Sequence, residues 1–287
     1  MSRTVTVGID GSRESLAAAN WAAGEATARG RLLRLVYVWK QDEASVAYYT
    51  DPETNRRAAE ALLHEAVEHL RPNHPHVRAE TVQMPGAPVE ELSAAGERAE
   101  LLVLGSRGLG GVTGFILGSV SLAVLARVRC PLVLVRADGT GEASPDRDVV
   151  VGLDLPEPSQ EVLAFAFAAA DRYGCGLRAV HSWTLPPVYG AGTADVVPVL
   201  LEATATERRK EMDAALAPWA RRSPGTAIGR QCLQGHPAQD LVEASTHAGL
   251  VVVGLRHRTA RMGTHVGPVV HSVLHHTAGP VAVVPHN

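Results

Sequence analysis

Two stretches of this chain carry residue types that could grip an anion. Gly105-Ser106-Arg107-Gly108 is followed, after nine residues, by Gly118-Ser119-Val120-Ser121. Glycines at both rims let backbone N–H groups approach phosphate oxygens with no Cβ in the way. A helix opening near Ser119 would add free N–H groups, the positive end of its dipole, and hydroxyls at Ser119 and Ser121. One dipole contribution is worth about 0.3–1 kcal/mol, so useful affinity needs several converging donors, and here several converge. The same residues also read as ordinary turn glycines with a serine cap. Asp10 could bond a ribose hydroxyl or help place a metal, or it could cap the helix that follows it. Val38 is either core or a residue whose backbone pairs with an adenine edge.

These positions meet only if the chain between them alternates strand and helix. Val5, Val7 and Ile9 form a short apolar strand, and the Ala-rich run 14–29 reads as a helix stopped by Gly30. A second strand covers 35–39. Asp51-Pro52 then supplies a cap and first-turn proline for a helix whose Leu62, Leu63, Ala66, Val67 and Leu70 keep a 3.6 spacing. Strands over 77–84, 101–104 and 132–135 alternate with helices over 89–98 and 119–128. Continuous apolar strands of this kind belong in a parallel sheet covered on both faces. Five of them commonly take the doubly wound order 3-2-1-4-5, with ligands bound at the carboxyl ends where strands one and four part. Asp10 and Gly105 follow those two strands.

The pattern is written twice. Asp10 is answered by Asp154, and the strand ending at Trp39 by one ending at Trp183, both 144 residues later. Further on the offset is 149: Gly86-Ala-Pro88 matches Gly235-His-Pro237, and the apolar strand before Gly105 matches the one before Gly254. A period this long is a whole domain. The fold expected is α/β, two tandem five-stranded doubly wound parallel sheets, with domains over 1–137 and 148–287 and a polar linker over 138–147. That accounts for the 287 residues.

Composition narrows the function. Net charge is −3, which gives no broad attraction for nucleic acid or an anionic membrane. Only Lys40 and Lys210 are lysines among 27 basic residues, and neither follows a glycine, so a P-loop is excluded. No GxSxG elbow, SGGxDS or HxGH signature appears, which argues against hydrolase and nucleotidyl-transfer enzymes. The three cysteines are widely spaced and fit a reducing cytoplasm. No apolar run approaches the roughly 18–20 residues of a membrane span, and no signal-peptide core opens the chain.

The spacing G-xx-G-9x-G-S, set beside VGIDGS at 7–12 and CPLVLVR at 130–136, resembles the nucleotide-binding branch of the universal stress protein family over nearly the whole chain. The resemblance implies a stress-linked regulator or nucleotide sensor rather than a high-turnover enzyme. It implies ATP, with magnesium, at the switch point of the first copy: Asp10 at the ribose and phosphates, Val38, Gly86 and Pro88 around adenine, and Gly8 among the nucleotide-binding residues. Gly105, Ser106, Arg107, Gly108, Gly118, Ser119, Val120 and Ser121 would form the cradle. It also implies pairing of the two copies through their fifth strands as an internal pseudo-dimer, and association into a homodimer. The alternatives are a nucleotide-independent assembly module and a slow ATP hydrolase.

The second copy keeps Asp154, Gly235, Gly254, Arg256 and Gly267 as candidate contacts but departs elsewhere. His257 replaces the second loop glycine, Pro268 and Val270 stand where Ser119 and Ser121 do, and Ser182 stands at the place of Val38. Proline also removes an N–H. Weak or absent ATP binding is expected there. Nine of the thirteen histidines lie in this copy, and His271 and His275 sit one helical turn apart beside His276. A metal site is conceivable, but with no HExxH or Cys partner a pH-sensitive helix face is the plainer reading.

Overall fold

The computed structural model describes residues 4–39, 52–106, 117–137, 146–185, 196–256 and 266–287. Asp51, Arg107, Gly108, His257 and most of the 138–147 linker lie outside the described residues. The first half runs β1 (Thr4–Ile9), α1 (Arg13–Arg29), β2 (Leu33–Trp39), α2 (Pro52–Leu70), β3 (Ala79–Pro85), α3 (Pro88–Arg98), β4 (Ala99–Gly105), α4 (Ser119–Leu125) and β5 (Leu132–Val135). The second repeats it as β6 (Val149–Gly152), α5 (Gln160–Tyr173), β7 (Leu177–Trp183), α6 (Val196–Arg222), β8 (Ile228–Gln234), α7 (Pro237–Ala244), β9 (Leu250–Arg256), α8 (Pro268–His276) and β10 (Val281–His286). A 3-10 turn, Ser245–His247, follows α7. Several boundaries shift: β2 starts at Leu33 rather than 35, β3 at Ala79 rather than 77 and β4 at Ala99 rather than 101, and α4 stops at Leu125 rather than 128.

Local chemistry fixes the equivalent helices alike. Ser12 caps α1 by accepting from Ser15 N, and Ser159 caps α5 by accepting from Val162 N. Gly30 and Gly174 close these helices at φ 62° and 66°, where a side chain would be strained. Helices α3 and α7 instead open on proline, whose missing N–H costs nothing in a first turn.

The ten strands form one sheet in the order β3-β2-β1-β4-β5-β10-β9-β6-β7-β8. Each half has the order 3-2-1-4-5, and all pairs within a half are parallel. The halves meet where β5 and β10 run antiparallel, with Ala282 opposite Val133 and Val283 opposite Leu132. The fifth strands therefore pair within the chain. One apolar layer, containing Val7, Leu33, Leu63 and Phe167, lies on the side of α1, α2, α5 and α6. The other, containing Leu102, Val124, Val251 and Leu274, lies on the side of α3, α4, α7 and α8. All three cysteines are free, and burial pushes the Cys130 thiol up to about 11.

Charged groups cross between the halves. Glu25 of α1 is 2% exposed; it accepts from Arg29 at 2.6 Å, from Arg172 at 3.3 Å and from the Tyr173 hydroxyl, the last two belonging to α5. Arg29 reaches on to Glu100 at 2.9 Å. Arg136, after β5, donates to the carbonyls of Leu274 and His275 at 3.3 and 2.8 Å. Burial first, and then the charge of Glu25, hold the Tyr173 phenol well above the usual tyrosine range. A raised acid gives its stabilisation in full below its unfolded pKa of about 10 and loses it as pH rises through the folded value. Above about pH 10, the urea midpoint should therefore fall more steeply for the native chain than for Tyr173→Phe. Parallel profiles would remove this role from Tyr173.

Candidate functional site

β1 and β4 are neighbours with Val7 level with Val103, so Asp10 and Gly105 leave the sheet side by side. Asp10 Oδ1 accepts from Ser12 N at 3.0 Å and from Ser12 Oγ at 2.5 Å, and Asp10 N donates to Ser15 Oγ at 3.4 Å. One carboxylate oxygen thus shapes the turn into α1. Beyond β4, Ser106 N donates to Val135 O at 2.7 Å, and Ser106 O accepts from Gly118 N at 2.8 Å. That bond ties the two ends of segment 107–116 together at the mouth of the switch point.

Gly118 is the cap residue of α4, with no side-chain cap bond. The first intrahelical bond runs from Leu122 N to Gly118 O, so the N–H groups of Ser119, Val120 and Ser121 precede any helical acceptor. Ser119 and Val120 are exposed, whereas Ser121 is buried and its hydroxyl donates to Gly105 O at 2.8 Å. Ser121 therefore braces β4 against α4 through its side chain.

At the base end, Val38 pairs with Met84 in the register of β2 and β3 and packs on the second apolar layer. Gly86 N donates to Trp39 O at 3.0 Å, and Pro88 opens α3 one residue beyond Ala87. Gly235 N repeats the first bond onto Trp183 O at 3.1 Å. The GxP turn is one device used twice.

Two glycines answer to packing. A Cβ on Gly8 would lie 2.7 Å from a Leu104 methyl, and one on Gly105 would lie 2.8 Å from the Glu14 backbone carbon. A backbone neighbour cannot step aside as a flexible side chain can. Gly105→Ala should therefore cost about 1–3 kcal/mol in urea unfolding even without nucleotide. A native midpoint would leave Gly105 to ligand approach alone.

The second switch point encloses a cavity of about 610 Å³ between the ends of β6 and β9. Asp154 is 79% exposed and bonds Arg256, itself 52% exposed, at 3.3 Å, so this carboxylate is turned to an arginine rather than to a serine turn. Gly267 caps α8, and Pro268 fills its first position. A Cβ on Gly254 would meet His286 Nε2 at 2.7 Å. Val270, buried, lines the cavity where the first half has the Ser121 hydroxyl. Sequence reasoning missed His181 of β7, a residue at the edge of this cavity that holds the position of Tyr37 in the repeat. It also missed Glu25, although a carboxylate inside the Ala-rich face of α1 was a sign that a partner had to exist.

Among the described residues no group of three or more His, Cys, Asp or Glu side chains is placed to hold a metal. The His271 and His275 rings lie 4.2 Å apart, centroid to centroid. No described helix is long and apolar enough to cross a membrane.

A family model described as Universal stress protein family matches residues 1–136 and again 147–285. Universal stress protein Rv2005c of Mycobacterium tuberculosis is 35% identical, the match covering 97% of this chain and 96% of the relative. Universal stress protein Rv2623 of the same organism is 31% identical over 97% and 95%. A crystal structure of a universal stress protein from Archaeoglobus fulgidus superposes over all of both chains with a TM-score of 0.71 at 22% identity, a likeness of fold.

Proposed function

The chain belongs to the universal stress protein family, and from that premise we propose that it is a stress-response regulator that binds ATP in its first half. The reading rests on one observation above the rest: the first-turn N–H groups of α4, which have no helical acceptor, and the exposed Ser119 hydroxyl stand at the switch point that Asp10 borders. Fixed backbone donors at a helix start suit phosphate oxygens. The second Asp10 oxygen suits a ribose hydroxyl or a magnesium ion carried in on the phosphates. The Val38 strand end and the Gly86–Pro88 turn suit the flat apolar faces of adenine. When bound, ATP supplies charge and occupancy that a partner can read. Arg107 and Gly108 complete the proposed cradle from outside the described residues.

No residue is assigned to bond breaking: Asp10 is bonded to its own turn, and Ser121 is bonded to Gly105. The protein is read as a sensor, located in the cytoplasm, that is not an enzyme. The second half, with Pro268 and Val270 in the places of Ser119 and Ser121, is read as a poor triphosphate site.

Calorimetric titration with ATP and magnesium tests this. One strong equivalent per chain is expected. Asp10→Asn keeps an acceptor for Ser12, and Ser119→Ala loses one hydroxyl donor to a charged group; each should weaken binding about 10-fold. Two ATP of equal affinity per chain, or none, would overturn the assignment.

A further inference from the structure

A cavity of about 660 Å³ lies between the two halves, walled by α1, by the turn that carries Asn73 and His74, and by the last residues of α5. Helices that connect parallel strands run back from carboxyl end to amino end, so the last turns of α1 and α5 stand at the sheet edge opposite the switch points. This cavity is therefore no part of either nucleotide cleft. Asn20, on its wall, accepts at Oδ1 from Asn73 Nδ2 at 3.4 Å and from His74 Nε2 at 3.1 Å, which ties α1 to the turn. Glu25, Arg172 and Tyr173 line the same space.

The main acceptors here are already taken. A carboxylate offers about four acceptor positions, and Glu25 receives Tyr173 and Arg172 at Oε1 and Arg29 and Arg172 at Oε2. Asn20 Oδ1 receives two donors, as many as a carbonyl has lone pairs. Donors are in surplus. Among the described residues Asn20 Nδ2 gives neither of its hydrogens, and Arg172 uses three of its five, two on Glu25 and one on Ala168 O. Charge has the same sense: Glu25 and Glu100 are linked to Arg29, Arg31 and Arg172, two carboxylates against three guanidinium groups, which leaves one positive charge. A donor-rich cavity with a positive balance suits oxygen atoms that carry negative charge.

The repeat shows that the fold alone does not demand these residues. Helices α1 and α5 align through Gly30 and Gly174, which sets Ala164 in the place of Asn20 and Ala169 in the place of Glu25. The turns align through His74 N on Leu70 O and Ser223 N on Trp219 O, which sets Ser223 in the place of His74. There Arg29 lies over the Phe165 ring, 5.6 Å from its centroid, and Ser223 bonds Asp171. One copy thus keeps the fold with alanines where the other carries an amide and a carboxylate. We propose that this cavity is a site for a small organic anion, held by a carboxylate or phosphate group against Arg172 and the amides of Asn20 and Asn73. Its volume lies within the range of small-molecule sites. Because α1 and α5 belong to different halves, an occupant bridges the halves and stabilises the folded chain.

Succinate and inorganic phosphate are the probes, each titrated into the full chain at constant ionic strength made up with chloride, with ATP and magnesium present to occupy the first-half cleft. The urea midpoint should rise saturably with at least one of them. A response to succinate alone identifies a carboxylate ligand, and to phosphate alone a phosphate ester. The Asn20 side-chain amide signals in nitrogen-15 spectra, identified by their loss in Asn20→Ala, should shift over the same concentrations. Asn20→Ala removes two donors to a charged group and should weaken binding at least about 10-fold. Ala28 is exposed on the cavity wall, so Ala28→Glu sets a like charge beside the anion without touching the core and should abolish the rise. Ala28→Gln, of the same shape, should keep most of it. Stabilisation by exclusion of the salts from the surface would instead raise all variants alike. No saturable rise with either probe, or an equal rise in the native chain, Asn20→Ala and Ala28→Glu, would overturn the proposal. The two assignments fail separately: if the chain binds no ATP, a rise sensitive to Asn20 and Ala28 still stands.

Discussion

Glu25→Ala is expected to lower the unfolding free energy by about 3 kcal/mol, near the lower end of the range for breaking a buried ion pair. The lower end applies because of what remains. Arg29 keeps Glu100 at 2.9 Å, and Arg172 keeps the Ala168 carbonyl at 3.0 Å, so the loss falls on the rest of the Arg172 guanidinium and on the buried Tyr173 hydroxyl. Those groups would then lack the carboxylate that balances them. The double variant Glu25→Leu with Arg172→Leu removes charge from both sides and should recover much of the loss, since a buried pair replaced by apolar groups is often neutral. Urea unfolding of the three variants measures this. A loss below about 1 kcal/mol for Glu25→Ala would show that the network contributes no more than a surface pair does. The bond joins α1 of one half to α5 of the other, so the same variant weakens the connection between the two halves.

What the sequence showed plainly is what short-range chemistry determines. Gly30 was legible as the stop of α1, whereas the cap at its start is Ser12 and not Asp10, which bonds Ser12 instead; Ser159 and Gly174 repeat the Ser12 and Gly30 roles on α5. The apolar strands and their repeat carried the 3-2-1-4-5 order, and the pairing of β5 with β10 was what the family resemblance implied, the strands' apolar character fitting covered edges. Residues whose roles depend on distant backbone were harder to read. Gly105 has the look of a phosphate-loop glycine, yet the nearest obstacle to a Cβ there is the Glu14 backbone. The Ser121 hydroxyl looks free beside Ser119 until the return of α4 onto β4 places Gly105 O within 2.8 Å. Glu25 meets Arg172 across 147 residues, a separation that no local pattern encodes. His181 differs again: its alignment with Tyr37 was visible, but its hydrogen-bond state is set by Leu153 O on the neighbouring strand segment.

Ala282→Asp is expected to be the most damaging single change at the joint between the halves. Ala282 is fully buried, opposite Val133, in the layer shared with Val151 and Phe167. A carboxylate there has no solvent, and burial raises carboxyl pKa values by up to 3–5 units, so at pH 7 the group must bind a proton in order to fold. At 1.36 kcal/mol per unit that is about 4–7 kcal/mol, less whatever part of the gap lies above pH 7, with the misfit of the larger side chain added. The sign is testable. The folded pKa is raised, so the penalty grows as pH climbs above the unfolded value of about 3.9 and shrinks towards acid. Ala282→Asn has nearly the same shape and no titration, so its penalty should stay flat over the same interval. Urea unfolding of both variants at about pH 4.5 and 7 separates charge from size. A pH-independent difference between them would mean that the carboxylate reaches water and that the seam is looser than its burial indicates. A displaced β10 also leaves β5 as an unpaired apolar edge, a template for another chain. Concentration-dependent association measured by sedimentation should therefore accompany the loss for Ala282→Asp at neutral pH.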